Sequence, residues 1–90
     1  MTNNIMLTAM NFTHELMVRK IPFVVTPLFD GYKWMFLDSE MDVIVHSYSY
    51  GHEEGLVESI GFPWDDDDVS TEYPEDMARL IADFLREIDE

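Results

Sequence analysis

Four consecutive aspartates, Asp65 to Asp68, are the densest group of chemically active side chains in this sequence. Carboxylate oxygens are ligands for hard cations such as calcium. A calcium loop of the EF-hand type also needs a glycine at its sixth position and a glutamate at its twelfth. Counted from Asp65, those positions hold Ser70 and Asp76. We therefore expect no dedicated metal site, while loose binding of a cation by the four carboxylates stays open.

The other side chains that could do chemistry form no catalytic set. His14, His46 and His52 lack the spacing of zinc ligands, and the chain has no cysteine to complete such a site. Ser47 follows His46, but neither a base from another element nor a strained nucleophile turn is indicated. No glycine-rich phosphate loop is present. The sequence therefore predicts a protein that is not an enzyme and that uses no cofactor.

The formal net charge is −14, from 19 acidic and 5 basic residues among 90. Residues 1–37 hold three basic and two acidic residues, whereas residues 38–90 hold two basic and seventeen acidic ones. No lysine or arginine lies between Lys33 and Arg79. This charge excludes direct binding of nucleic acid, because such affinity comes from lysines and arginines that neutralise phosphates. It also disfavours attachment to anionic membrane surfaces.

Amphipathic helices are predicted at both ends of the chain. The first ends near Lys20, because Pro22 biases the residue before it away from helical angles. Its cap lies among Thr2, Asn3 and Asn4, and its apolar face holds Ile5, Ala9, Phe12 and Leu16, widened by Met6, Met10 and Met17. The last helix begins at Pro74, with Glu75 and Asp76 at its positive dipole end. Its apolar stripe is Met77, Leu80, Ile81, Phe84, Leu85 and Ile88.

Three strands between the helices are predicted to form a tight antiparallel meander. They lie at residues 23–26, at 32–37, and from 43 to 48 or 50, with turns at 30–31 and 38–40. Asp30-Gly31 is a strong hairpin signal between two apolar runs. Pro27 has no N–H for a ladder bond, so the first strand ends there or lies at a sheet edge. That edge could pair with a second copy, and the sequence leaves homodimerisation open.

Residues 53–60 are predicted to be a short helix, and residues 64–73 an acidic loop. Trp64 is predicted to anchor that loop to the body, although an aromatic ring among carboxylates is also typical of a binding hot spot. The sequence therefore predicts one α+β domain over residues 1–90. Its order is a helix, a three-stranded antiparallel meander, a short helix, an acidic loop and a C-terminal helix, with the helices packed on one sheet face.

The predicted compartment is the cytoplasm. A secreted domain of this size often needs disulfides, and this chain has no cysteine. Residues 1–10 lack the basic start and the continuous apolar run of a signal peptide. No apolar stretch approaches the roughly 20 residues needed to span a bilayer.

Carboxylates that no base neutralises could imitate the charge of nucleic acid. Duplex DNA presents about one negative charge per 1.7 Å of axis, and carboxylates on a helix face lie about 5–6 Å apart. We therefore predict an inhibitor that acts as an acidic DNA mimic on a basic nucleic-acid-binding protein. The predicted partner-binding residues are Glu53, Glu54, Glu58, Asp65, Asp66, Asp67, Asp68 and Glu72. The alternative is a non-catalytic protein-interaction module with an apolar interface, whose acidity serves solubility.

The chain resembles several groups of phage proteins. Its small size, acidity and helix–meander–helix order resemble small phage inhibitors, including acidic anti-CRISPR proteins that block the DNA-binding groove of a CRISPR effector. Residues 42–47, DVIVHS, resemble the central strand of the phage uracil-DNA glycosylase inhibitor, although a predicted helix then replaces that family's further strands. The stretch HSYSYG at 46–51, with Glu54, Gly55, Leu56 and Glu58 and then Asp67-Asp68-Val69 before a helix, resembles uncharacterised phage and prophage proteins. These resemblances imply a phage-encoded protein of the host cytoplasm. The predicted target is a defence nuclease, such as a CRISPR effector.

Overall fold

The computed structural model describes residues 4–36, 41–65 and 70–88, which form helices on a five-stranded sheet. The predicted α+β class, with an N-terminal helix, an antiparallel meander and a C-terminal helix, is confirmed. The elements are α1 (Asn4–Val18), β1 (Val24–Leu28), β2 (Gly31–Phe36), β3 (Met41–Val45), β4 (Val57–Ile60), β5 (Ser70–Glu72) and α2 (Pro74–Ile88), with 3₁₀ turns at His52–Glu54 and Pro63–Asp65. The predicted cap residues Thr2 and Asn3, the predicted turn at 38–40 and Asp66 to Asp68 lie outside the described residues.

The strands follow one another across the sheet in the order β1-β2-β3-β4-β5, and each neighbouring pair is antiparallel. The predicted hairpin between β1 and β2 is confirmed, but its turn residues are Phe29 and Asp30, and Gly31 is the first residue of β2. A Cβ at Gly31 would lie 1.8 Å from the carbonyl oxygen of Val45, so only glycine lets β2 approach β3 this closely. Pro27 lies within β1, at an edge of the sheet, as its missing N–H predicts.

The predicted short helix over residues 53–60 is wrong. The chain makes one 3₁₀ turn and then forms β4, which begins at Val57. Gly55 ends the turn with a φ of 81°, a left-handed conformation that stops a right-handed helix. Val57 is buried in the core, whereas Ile60 is exposed. Residues 70–72, predicted as part of an acidic loop, form the edge strand β5 and pair with β4.

Both helices cover the same face of the sheet, and the core lies between them and that face. Trp34 of β2 is fully buried at its centre. Its ring meets Phe12 of α1 edge-on with centroids 4.9 Å apart, and its Nε1 donates a hydrogen bond of 3.1 Å to Thr13 Oγ1. The other buried apolar residues of the core are Ala9, Leu16, Ile21, Phe36, Val43, Val45, Val57, Phe62, Met77, Ala78 and Ile81.

The apolar faces of both helices are narrower than predicted. In α1 the residues predicted to widen the face, Met6, Met10 and Met17, are exposed. The reason is that α1 turns only one narrow stripe toward the core, made of Thr8, Ala9, Phe12 and Leu16. In α2 the predicted stripe is buried at Met77 and Ile81 but exposed at Leu80 and Ile88.

The helices α1 and α2 run side by side in the same direction. Leu7, early in α1, lines a groove with Pro74 at the start of α2, and Lys20, just beyond α1, lines another with Leu85 near the end of α2. The starts of both helices lie at the end of the sheet that carries the β1–β2 hairpin and the 46–56 connection between β3 and β4. We call this the hairpin end. The other end, where β4 ends and β5 begins, is the opposite end.

Replacing Gly31 by alanine is expected to lower the free energy of unfolding by about 3 kcal/mol, because backbone atoms of β3 would have to move. The matched control is Gly55→Ala, where the nearest atom to a new Cβ is Thr8 Oγ1 at 3.8 Å. That variant should lose only about 1 kcal/mol, the cost of a left-handed φ for alanine. Urea unfolding followed by circular dichroism measures both losses. Equal losses would contradict the close approach of β2 to β3.

Candidate functional site

Three of the predicted partner-binding carboxylates lie at the hairpin end. Glu53 and Glu54 are exposed on the 3₁₀ turn of the 46–56 connection. Glu72 is half-buried at the end of β5, opposite Val57. Glu53 and Glu54 line a groove together with Pro74. The fold therefore brings all three next to the start of α2.

Glu75 and Asp76, in the first turn of α2, complete this acidic group. These two adjacent acids were predicted to interact favourably with the positive end of the helix dipole. Because they follow Glu72 closely in the sequence, the sequence could also have assigned them to this acidic group. Arg79 lies 3.3 Å from Glu75 and 3.2 Å from Asp76, but these pairs are exposed and such pairs are weak. The N–H groups at both helix starts carry partial positive charge and stabilise nearby acids. We call Glu53, Glu54, Glu72, Glu75 and Asp76 the hairpin-end carboxylates.

Glu58, also predicted as a partner-binding residue, lies inside the sheet. Its side chain is only 7% exposed, and β4 places it between Ile44 of β3 and Thr71 of β5. Its Oε1 accepts a hydrogen bond of 2.9 Å from the backbone N–H of Tyr50. A buried carboxylate needs such a partner. Glu58 therefore holds the 46–56 connection against the sheet rather than adding charge to the surface.

Asp65 lies at the opposite end, where it holds the chain after β4. Its Oδ1 accepts a hydrogen bond of 2.8 Å from the Ser59 hydroxyl, and its Oδ2 accepts one of 3.1 Å from the backbone N–H of Phe62. Trp64 stacks on Phe62 with centroids 4.7 Å apart, meets Phe84 of α2 edge-on, and donates from Nε1 to Ser59 Oγ at 2.9 Å. The predicted role of Trp64 as an anchor is confirmed for this turn.

The predicted partner-binding residues that the structure describes do not form one surface. Glu53 and Glu54 precede β4, and Asp65 follows it, so the length of that strand separates them. Four residues of extended chain span about 13 Å. Glu53, Glu54 and Glu72 thus lie together at the hairpin end, while Asp65 belongs to the opposite end. Asp66, Asp67 and Asp68 lie outside the described residues.

Basic residues gather where the helices end. Arg19 and Lys20, just after α1, line a groove with Arg86 in the last turn of α2. Arg19 also pairs with Glu15 of its own helix, and Arg86 lies 3.2 Å from Asp83. Cations are stabilised near the carbonyl groups at the ends of helices. Because Arg19, Lys20 and Arg86 lie where the helices end, they do not neutralise the hairpin-end carboxylates.

Both histidines of the 46–56 connection form hydrogen bonds with its backbone. The buried His46 accepts a hydrogen bond of 3.0 Å at Nδ1 from the Tyr48 N–H, so this nitrogen carries no proton. Nδ1 of His52 lies 2.7 Å from the carbonyl oxygen of Ser49, to which it donates. Within residues 4–36, 41–65 and 70–88, no group of three or more histidines and acids is placed to hold a metal ion.

Two exposed aromatic rings lie side by side at the hairpin end, Phe29 in the β1–β2 turn and Tyr48 in the 46–56 connection. Phe29 is 73% exposed and Tyr48 is 76% exposed, and their centroids lie 5.4 Å apart at 75°. The Phe29 ring also meets buried His46 edge-on at 5.1 Å. Next to Phe29, Asp30 Oδ1 accepts a hydrogen bond of 2.9 Å from the Ser47 N–H. These contacts join the hairpin to the 46–56 connection.

An apolar groove lies between α1 and the edge strand β1. It has a volume of about 250 Å³, and Met6 and Met10 of α1 face Val25 and Pro27 of β1 across it. Trp34 also lines it. Exposed methionines adapt their shape to different apolar partners. The feature of the sequence that corresponds to this groove is the spacing of the methionines in α1. Those methionines were predicted to widen the apolar face that packs in the core.

The pKa of the Asp30 carboxyl is lowered from its ordinary value of 3.8, chiefly because it accepts the hydrogen bond from the Ser47 N–H. A lowered pKa in the folded state means that the contribution to stability is present above about pH 4 and is lost as the pH falls through the folded pKa. In an NMR pH titration, the Ser47 amide resonance should therefore move with a midpoint below 3.8. Asp30→Asn should abolish this step, and a midpoint above 3.8 would contradict the hydrogen bond.

Neither helix in the described part of the chain is long and apolar enough to cross a membrane. Comparison with protein-family models, with curated proteins and with solved structures finds no match to this chain. The features of the described chain that could carry a function are the hairpin-end carboxylates, the exposed rings of Phe29 and Tyr48, and the methionine-lined groove.

Proposed function

We propose that this protein is an inhibitor that occupies the basic surface of a nucleic-acid-binding protein in place of nucleic acid. The observation that carries the proposal is the group of hairpin-end carboxylates, which the fold collects from a 3₁₀ turn, a strand end and a helix start. A carboxylate group of this kind attracts the lysines and arginines that bind phosphates. The protein acts by binding and not by catalysis.

The proposed mode of action is competition for a groove. The target's groove carries fixed positive charge, and DNA enters it because its phosphates are neutralised there. The chain's net charge of −14 steers it toward the same groove over distances of about a Debye length. Once bound, its hairpin end excludes the DNA.

The proposed target class is a defence nuclease in the cytoplasm of a phage-infected cell. This choice rests on the resemblance to small acidic phage inhibitors, including anti-CRISPR proteins. For the uracil-DNA glycosylase inhibitor, a helix was predicted where that family continues with strands. The described chain continues with β4 and β5 instead. A glycosylase therefore belongs among the enzymes to be tested.

Inhibition is the direct test. A CRISPR effector nuclease, a restriction endonuclease and a uracil-DNA glycosylase are each assayed on their own DNA substrate, at low salt, with the protein in excess. At least one enzyme should lose DNA binding and activity together, and added DNA should restore both. If none of these enzymes is inhibited at low salt, the proposal is overturned.

Neutralising the hairpin end should weaken inhibition. The triple variant Glu53→Gln, Glu54→Gln, Glu72→Gln should raise the inhibitory concentration about tenfold to a hundredfold, because each contact between opposite charges in water contributes about 1 kcal/mol. The matched control removes three acids from the second halves of the helices, as Glu15→Gln, Asp83→Asn and Glu87→Gln. Equal losses from both variants would show that net charge, rather than the hairpin end, carries the effect.

The second candidate function is a protein-interaction module with an apolar interface. The methionine-lined groove between α1 and β1 favours it, because Met6 and Met10 are exposed and face Val25 and Pro27 across the groove. Salt separates the candidates, since charge pairs at a surface are screened and apolar contacts are not. If affinity for a target is unchanged between roughly 0.05 M and 0.5 M salt and falls in the variant Met6→Gln, Met10→Gln, this second function is the correct one.

A further inference from the structure

Phe29 has a backbone conformation that suits glycine better than phenylalanine. It is the first of the two hairpin turn residues and has a φ of 56°, while the second, Asp30, has no positive φ. A positive φ at the first position alone is the pattern of a type II′ turn, where glycine is usual. Strain of this kind costs free energy and tends to persist where it serves a function.

The strained position presents the Phe29 ring to solvent beside a second ring. Phe29 and Tyr48 are both exposed, and their nearly perpendicular rings make a corner rather than a flat patch. Beneath them, buried His46 contacts the Phe29 ring, and its Nδ1 accepts the hydrogen bond from the Tyr48 N–H. The corner is therefore held in place by the 46–56 connection.

The exposed carboxylate of Asp30 completes the corner. Asp30 follows Phe29 in the chain, and its Oδ1 accepts the hydrogen bond from the N–H of Ser47, the residue before Tyr48, so the side chain is fixed between the two residues that carry the rings. A carboxylate beside aromatic faces matches one side chain in particular. The planar guanidinium of arginine stacks on aromatic rings and donates to carboxylates through two parallel N–H groups, whereas the lysine ammonium does neither as well.

We propose that Phe29, Asp30 and Tyr48 form a recognition site for an arginine side chain of the partner protein. This inference rests on the proposed function, because it identifies which group of the basic partner the hairpin end selects. The hairpin-end carboxylates attract any basic surface, and the aromatic corner chooses arginine. A second copy of this chain is disfavoured as the occupant, because each copy carries a charge of −14.

NMR titration with two peptides of equal charge tests the site. The probes are acetyl-Gly-Arg-Gly-Arg-Gly-amide and its lysine counterpart. The arginine peptide should bind about two- to fivefold more tightly, the size of an exposed cation–π contact, and should shift the resonances of Phe29, Ser47 and Tyr48. Equal affinities, or shifts confined to the hairpin-end carboxylates, would overturn the inference.

Variants at the tip separate recognition from folding. Phe29→Gly relaxes the turn and should keep the fold, because glycine adopts a positive φ freely. This variant and Tyr48→Ala should each abolish the preference for arginine over lysine. The control Glu53→Gln, Glu54→Gln should weaken both peptides equally and keep the preference. If Phe29→Gly keeps the preference, or if the Phe29 and Tyr48 resonances shift with protein concentration alone, the site does not recognise arginine as proposed.

The two proposals fail in different ways. If the protein inhibits a nuclease and Phe29→Gly inhibits it equally well, the arginine site is wrong and the proposed function stands. If no nucleic-acid-binding protein is inhibited but the arginine preference is measured and is lost in Phe29→Gly, the proposed function is wrong and the arginine site stands.

Discussion

The side-by-side packing of both helices on one face of the sheet determines where the charged groups of this protein lie. Each helix has one apolar stripe, and both stripes pack into the one core that holds the buried Trp34. Since the helices run in the same direction, their starts meet at one end of the molecule and their last turns at the other. Acids of the first 3₁₀ turn, of the end of β5 and of the first turn of α2 meet there, where the free N–H groups at the helix starts stabilise them.

Hydrogen bonds from the protein stabilise some of the carboxylates in this chain, which has a net charge of −14. Like charges held in a compact shape lower stability. Here one acid, Glu58, is removed from the surface by a hydrogen bond from a backbone N–H, and Asp65 is engaged by Ser59 and Phe62. These carboxylates act as structural acceptors. Glu53 and Glu54, by contrast, are exposed at the hairpin end.

The sequence predicted the elements whose signals are local. Pro74 with two acids behind it specifies the start of α2, and Asp30-Gly31 specifies the hairpin to within one residue. It failed where strand pairing overrides a local signal. The spacing of Leu56, Val57 and Ile60 suits a helix, but residues 57–60 pair with β3 and β5, and local spacing does not record that pairing.

The candidate site was predicted only in part, for a similar reason. The exposure of Glu53 and Glu54 could be predicted from the polar residues around them in the sequence. The burial of Glu58 depends on the N–H of Tyr50, eight residues earlier, which only the fold brings close. The aromatic corner depends on the β1–β2 turn, which lies one residue earlier in the chain than Asp30-Gly31 predicts. It also depends on contacts between Phe29 and the distant His46 and Tyr48.

The two tryptophans give the molecule separate optical reporters. Trp34 is fully buried and bonds to Thr13, so its fluorescence reports on opening of the core and on the groove that it lines. Trp64 is half-buried at the opposite end, stacked on Phe62 and bonded to Ser59. Its emission is sensitive to changes in these contacts. With Trp34→Phe, the remaining fluorescence would report on the opposite end alone, without an attached dye.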